Sequence, residues 1–207
     1  MRVVLASASP RRLELLRALI ANFEVIPGDV EEVLAGEPRA DAIRLAVDKA
    51  TAIAASVPDA VVIGADTVVH DGSEPYGKPE TPVEAEHMLK SLRGRTHAVI
   101  TGLAVVRGGH IQTDASESRV WLTDLSDEAI AAYVASGRPM DKAGAYAIQD
   151  EDVPTVARLE GCYCNVVGLP LWRLRALLQS EGIGCGKPTN AYARCRDCPD
   201  RPEIGEE

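Results

Sequence analysis

Apolar residues in this chain fall into short dense runs separated by helix-spaced stripes, the alternation expected of strands interleaved with helices. Arg2 to Ala6 is a brief apolar run, followed by Ser9-Pro10 as N-cap and first helical residue, with Leu13, Leu16 and Ile20 sharing one helical face. A second short strand is predicted in "FEVIP", ahead of the acidic loop "GDVEEVLAGEP". From Asp41 to Val57, residues Ile43, Ala46, Val47, Ala50, Ile53 and Ala54 recur at helical spacing, with Lys49 at the edge of that face. The run "AVVIGADTVV" is apolar up to Asp66, as in a strand buried on both faces.

Thr81, Pro82 and Glu84 match a capping box for a helix reaching about Leu92. Two long antiparallel strands, joined near Gly108 and Gly109, come next. Ser126 to Ser136 predicts a helix stopped by Gly137, and "GLPLWRLRALLQSEG" another stopped by Gly182. Beyond Gly184 the hydrophobic period disappears while proline and charge accumulate. The pattern predicts one α/β domain over residues 1–184 and a mostly extended, cysteine-containing tail over 185–207.

Composition narrows the class. Of 207 residues, 46% are apolar and 26% charged, which suits a packed globular domain and excludes a largely disordered chain. A formal net charge of −9 argues against general nucleic-acid binding, because phosphate affinity needs clustered Lys and Arg. The N-terminal apolar segment is too short for a secretory signal and no run reaches transmembrane length, so a cytoplasmic protein without membrane contact is expected. Five cysteines, Cys162, Cys164, Cys185, Cys195 and Cys198, form an odd, late cluster unlike a secreted disulfide framework.

Within this frame a few residues stand out chemically. Arg11 and Arg12 fall in the first turn of the first helix, beside free backbone N–H groups, where cations are disfavoured by roughly 0.3–1 kcal/mol each unless an anion binds. Ser7, Ser9 and these arginines could cradle a phosphate, or simply cap a surface helix. Asp66, followed by Thr67, suits a metal ligand or a base for water, and its burial calls for a cation, a metal or several donors beside it. Glu31-Glu32 could join Asp66 in holding Mg²⁺, or be a solvated loop. Lys49 and Lys78 could offset phosphate charge, and the Gln149 amide could read a base edge.

The histidines His70, His87, His97 and His110 show no ligand spacing and no nucleophile partner. Cys162 and Cys164 alternate along a strand-like apolar stretch and read as packing residues. Cys185, Cys195 and Cys198 offer three thiols, one short of a structural zinc site unless another residue or chain completes it. No GxxxxGK[ST] phosphate loop is present.

Taken in order, "LASASPRRLELL", "EE" before the second helix, "IGADTVV", "GKP", "GRTHAVITGLAV", "DKAGAYAIQ" and "GCYCNVVGLPL" resemble the Maf family of nucleoside triphosphate pyrophosphatases, from Arg2 to about Leu178. The resemblance implies a Maf/inosine-triphosphatase-like α/β fold, an elongated mixed sheet flanked by helices with a cleft between two lobes. It further implies hydrolysis of a nucleoside triphosphate to monophosphate and pyrophosphate, a divalent cation (Mg²⁺ or Mn²⁺), and a homodimer. By the same resemblance Asp66, Glu32, Lys49 and Lys78 are the catalytic positions, with Asp66 and Glu32 on the metal. Ser7, Ser9 and Arg11 would then bind phosphate, and Arg12, Thr67 and Gln149 select substrate. The motifs look like the dTTP/UTP branch, with Asp150 standing where that branch usually has Gly. Alternatives are a pyrophosphatase for modified or methylated nucleotides, a non-catalytic nucleotide-binding regulator of cell division, and a zinc-linked interaction module.

Overall fold

The computed structural model describes residues 1–72, 74–150, 152–190 and 192–202. Its centre is a seven-stranded mixed sheet in the order β2-β1-β3-β5-β6-β7, with β4 paired to β3 off this path. The strands are β1 (Val3–Leu5), β2 (Glu24–Val25), β3 (Val61–His70), β4 (Pro75–Tyr76), β5 (Thr96–Arg107), β6 (His110–Leu122) and β7 (Val156–Glu160). The helices are α1 (Pro10–Arg17), α2 (Pro38–Ala54), α3 (Pro82–Leu92), α4 (Asp127–Ala135), α5 (Tyr163–Val167) and α6 (Leu171–Ser180). β1, β2 and β3 run parallel; the β3, β5, β6 and β7 pairings are antiparallel.

Helix boundaries follow their caps. Ser9 Oγ accepts from the N–H of Arg12 at 3.4 Å, Thr81 Oγ1 from Glu84 at 3.2 Å and Ser126 Oγ from Ala129 at 3.2 Å. The Glu84 carboxylate returns to the N–H of Glu80, one residue outside the usual capping-box partner. Gly137 and Gly182, which end α4 and α6, adopt left-handed φ values of 73° and 74°.

Two apolar clusters, both crossed by β3 and β5, form the lobes. At one end Leu5, Leu16, Ile63, Leu103, Leu171 and Trp172 pack between the sheet, α1 and α6. At the other, Leu89, Leu92, Val99, Val120, Ile130 and Tyr133 pack beneath α3 and α4. β1 pairs with β3 only as far as Leu5 opposite Ile63, and β4 joins the same edge only at Val69 and His70. Between these pairings the edge of β3 is left open, and the cleft lies there.

α2 covers one face of the sheet at close range. A Cβ on Gly64 would stand 2.1 Å from the Ala46 carbonyl oxygen, and one on Gly102 2.3 Å from that of Ala42. Side chains at either position would push α2 off β3 and β5.

Two elements differ from the sequence expectation. Cys162 and Cys164 lie at the start of the short helix α5, because "YCNVV" docks its small and apolar residues under β5 and β6 as a helical turn; both are buried, as packing residues are. The segment after Gly184 is folded rather than extended. Gly186 N–H donates to the Leu19 carbonyl at 2.9 Å, two 3₁₀ turns follow, and Cys195 and Cys198 bury themselves in the α1/α6 core. Two isolated cysteines carry no periodicity, so the pattern of the sequence conceals this docking.

Candidate active site

The open edge of β3 forms the floor of a cleft of about 550 Å³. Strand alternation sends Asp66 and Thr67 to opposite faces of the sheet, so each meets a different wall. On the α2 side, Lys49 Nζ reaches Asp66 Oδ1 at 2.5 Å and Glu32 Oε1 at 2.6 Å. Lys78 closes on Glu32 from solvent, 3.2 Å from Oε1. Asp66 and Lys49 are both buried, whereas Glu32 and Lys78 stand at the cleft mouth. Burial would raise the Glu32 carboxyl, but hydrogen bonds and charge from Lys49 and Lys78 outweigh it and hold the group below the ordinary carboxylate value.

On the opposite wall Arg12 is fixed by three acceptors. Nε donates to the Gly168 carbonyl at 2.9 Å, Nη2 to Thr67 Oγ1 at 3.0 Å and Nη1 to Ser7 Oγ at 3.5 Å. Desolvation draws its guanidinium below the ordinary arginine value, opposed by the charges of Asp66 and Glu32. Gly168 has a φ of +120°, and even there a Cβ would touch Arg12 Nε and Thr67 Oγ1 at 3.4 Å. Arg11 turns away to Asp141, 2.6 Å from Oδ2, and ties α1 to the loop before Lys142.

Ten residues singled out in the sequence, Ser7, Ser9, Arg11, Arg12, Glu32, Lys49, Asp66, Thr67, Lys78 and Gln149, line this one cleft, whereas Glu31 lies outside it. Motifs spread over more than 140 positions converge in the order that the family resemblance requires, and the family model described as Maf-like protein matches residues 2–181. The chain belongs to the Maf family. A Maf relative from Thermomicrobium roseum, a dTTP/UTP pyrophosphatase, is 45% identical over 207 residues, covering 98% of this chain and 95% of that protein. A dTTP/UTP pyrophosphatase of Geobacter metallireducens is 50% identical over 186 residues, covering 87% and 96%. One of Aquifex aeolicus is 43% identical over 187 residues, covering 90% and 98%.

Residues that the sequence reading does not single out either support the Maf cleft from behind, as Asn165 and Thr101 do, or line it. Asn165, fully buried in α5, accepts from Thr101 N–H at 3.0 Å and donates to Val99 O at 2.9 Å and Ser118 Oγ at 2.8 Å. Thr101 Oγ1 donates to the Asn165 carbonyl and sits 2.9 Å from Thr67 Oγ1. Asn165 is thereby linked through Thr101 to Thr67, one of the three acceptors of Arg12. A lone Asn within "CYCNVVG" was the available signal. Lys142, Tyr146 and Ala147 also line the cleft. Gln149 lies there half-buried and makes no hydrogen bond to the described residues, while Asp150 accepts a bond from the Tyr133 hydroxyl.

His97 is buried with Nε2 2.6 Å from the Tyr146 hydroxyl, beneath the cleft and outside it. Among the described residues no helix is long and apolar enough to cross a membrane.

Proposed function

We propose that this chain hydrolyses dTTP and UTP between the α- and β-phosphates, giving the nucleoside monophosphate and pyrophosphate. The Glu32–Lys49–Asp66 charge chain, set across one cleft from Arg12 in a Maf fold, is the observation that carries this reading. A triphosphate brings about four negative charges, which repel an incoming water or hydroxide. Lys49 has three donors and spends two on Glu32 and Asp66, leaving one for a phosphate oxygen. Lys78 and Arg12 add positive charge from the mouth and the far wall.

Two lysines are neutralised here by two carboxylates, so the α2 wall alone cannot offset the phosphates. Asp66 and Glu32 fit a hard divalent cation such as Mg²⁺ or Mn²⁺: their oxygens already converge on one positive charge, the Lys49 ammonium, and the donors are all oxygen. An ion held by these two carboxylates, completed by phosphate oxygens and water, would supply charge neutralisation at the bond to be broken. Asp66 orients the attacking water and accepts its proton, help worth typically 10²–10⁴-fold. The Ser7 and Ser9 hydroxyls and the Arg11 N–H receive phosphate oxygens, since Pro10 has no N–H and those of Arg12 and Leu13 are held by Ser9, and Arg11 holds that helix against Asp141.

Base selection falls to Gln149, whose amide can donate to and accept from a pyrimidine edge at once, and to the Arg12–Thr67 pair, which fixes the distance between base and phosphates. None of the five cysteines is paired in a disulfide, consistent with a reducing cytoplasm, where we place the enzyme. Release of pyrophosphate rather than orthophosphate from dTTP by the purified chain tests the reaction.

A further inference from the structure

Four of the five cysteines come together from two distant stretches. Cys162-x-Cys164 leads into α5, and Cys195-x-x-Cys198 lies on and just after the 3₁₀ turn Ala193–Arg196. Cys164 Sγ is 3.5 Å from Cys195 Sγ. The sulfurs of Cys162 and Cys198 and a carboxylate oxygen of Asp200 all lie within 4.8 Å of one another. Both pairs lie within the same buried apolar core. The four residues are 1%, 0%, 2% and 7% exposed.

Simple packing accounts poorly for this cluster. Among the described residues after Gly184, only Pro188, Cys195 and Cys198 are buried, and the two cysteines are buried in the core that also holds Cys162 and Cys164. Zinc–sulfur bonds of about 2.3 Å in a tetrahedron place sulfurs about 3.8 Å apart, close to the 3.5 Å between Cys164 and Cys195, whereas a disulfide needs about 2.0 Å. Backbone N–H groups of Asn165 and Asp200 point at the sulfurs of Cys162 and Cys198, as donors to metal-bound thiolates do. Asp200 is already committed, accepting from Arg173 Nε at 2.8 Å and Ser116 Oγ at 2.6 Å, so it braces the cluster and is not counted as a ligand.

We propose that Cys162, Cys164, Cys195 and Cys198 bind one structural zinc ion that fastens the C-terminal segment to α5. The two thiols missing from the tail alone are supplied by the domain. α5 carries Asn165 and runs into Gly168, the anchors of Thr101 and Arg12, so the ion would also stiffen one wall of the cleft. Cys185 lies outside the set, with Sγ on the Ile183 carbonyl at 3.5 Å.

The test uses the full chain produced without added metal. Elemental analysis is expected to find about one zinc per chain, falling below about a tenth of that in the Cys195→Ser/Cys198→Ser variant. Because the cleft itself has carboxylates for a divalent ion, the same chain is also produced with cobalt. A thiolate-to-cobalt charge-transfer band with intense tetrahedral d–d bands is expected in the wild type and in Glu32→Gln, and carboxylates cannot produce it. The wild-type spectrum decides even where the double variant fails to fold. Cobalt bound without the thiolate band, a metal-free chain with all five thiols titrating, or a Cys164–Cys195 disulfide found by peptide mapping would each overturn the proposal.

Discussion

Lys49 Nζ meets Asp66 Oδ1 at 2.5 Å, a buried contact between a helix and a strand that never pair in sequence. Its partner geometry depends on Gly64 and Gly102, which let α2 lie against the sheet. Each charge satisfies the other's need for a counterion in the interior, and both face the cleft.

Asp66→Asn keeps the volume and removes the charge. Hydrolysis of dTTP is expected to fall by about 10²-fold or more, with the circular dichroism spectrum unchanged. Near-wild-type turnover by a folded variant would remove Asp66 from the mechanism.

Glu32→Gln addresses the proposed cation. It leaves Lys49 its bond to Asp66 but takes away one anionic oxygen donor. The metal concentration giving half-maximal activity is expected to rise severalfold, with partial recovery at saturating metal. An unchanged metal titration would contradict a ligand role for Glu32.

Asn165 makes its hydrogen bonds from complete burial, so Asn165→Ala strands Thr101 N–H and the Val99 carbonyl. A loss of about 2–4 kcal/mol in urea unfolding is expected, together with a raised KM for dTTP from the loosened Arg12–Thr67 wall. A variant that loses stability with KM unchanged would show that the wall is held by other contacts.

Acid should weaken the fold through His97. Burial holds its imidazole down at about 4, from an ordinary value of 6.5, with Asp71 opposing and His70 reinforcing the shift. The unfolded chain takes up a proton below pH 6.5 while the folded chain does not until about pH 4. The contribution is therefore complete above pH 6.5 and is lost as pH falls through that window, about 3 kcal/mol in all. His97→Gln should show a shallower fall of the urea midpoint between those limits; equal slopes would contradict the assignment.

Local signals made most of the fold legible. Ser9-Pro10, Thr81-Pro82 and Ser126 mark real helix starts, and the apolar run before Asp66 is a doubly covered strand. Burial physics alone called for a cation, a metal or several donors beside Asp66, yet the choice of Lys49 depends on the register of α2 against β3, which no local pattern encodes. The unbroken apolar run stops at Asp66, but the strand runs on to His70, and it is the pairing with β1 that stops at Ile63. Asn165 and the docked cysteines were hidden for a related reason. Each acts through partners more than thirty residues away, and nothing in its own neighbourhood repeats.

The most direct measurement is pyrophosphate release from dTTP, UTP, CTP, ATP, GTP and methylated GTP by the wild type, repeated with Gln149→Leu. A site built on paired hydrogen bonds rejects a poor match by leaving its own polar groups unpaired. kcat/KM for dTTP and UTP is expected to exceed that for the purine nucleotides by about tenfold or more, and Gln149→Leu to erase most of that preference while leaving inhibition by pyrophosphate unchanged. Equal turnover of purine and pyrimidine triphosphates by the wild type, or no pyrophosphate release from any of them, would contradict the account.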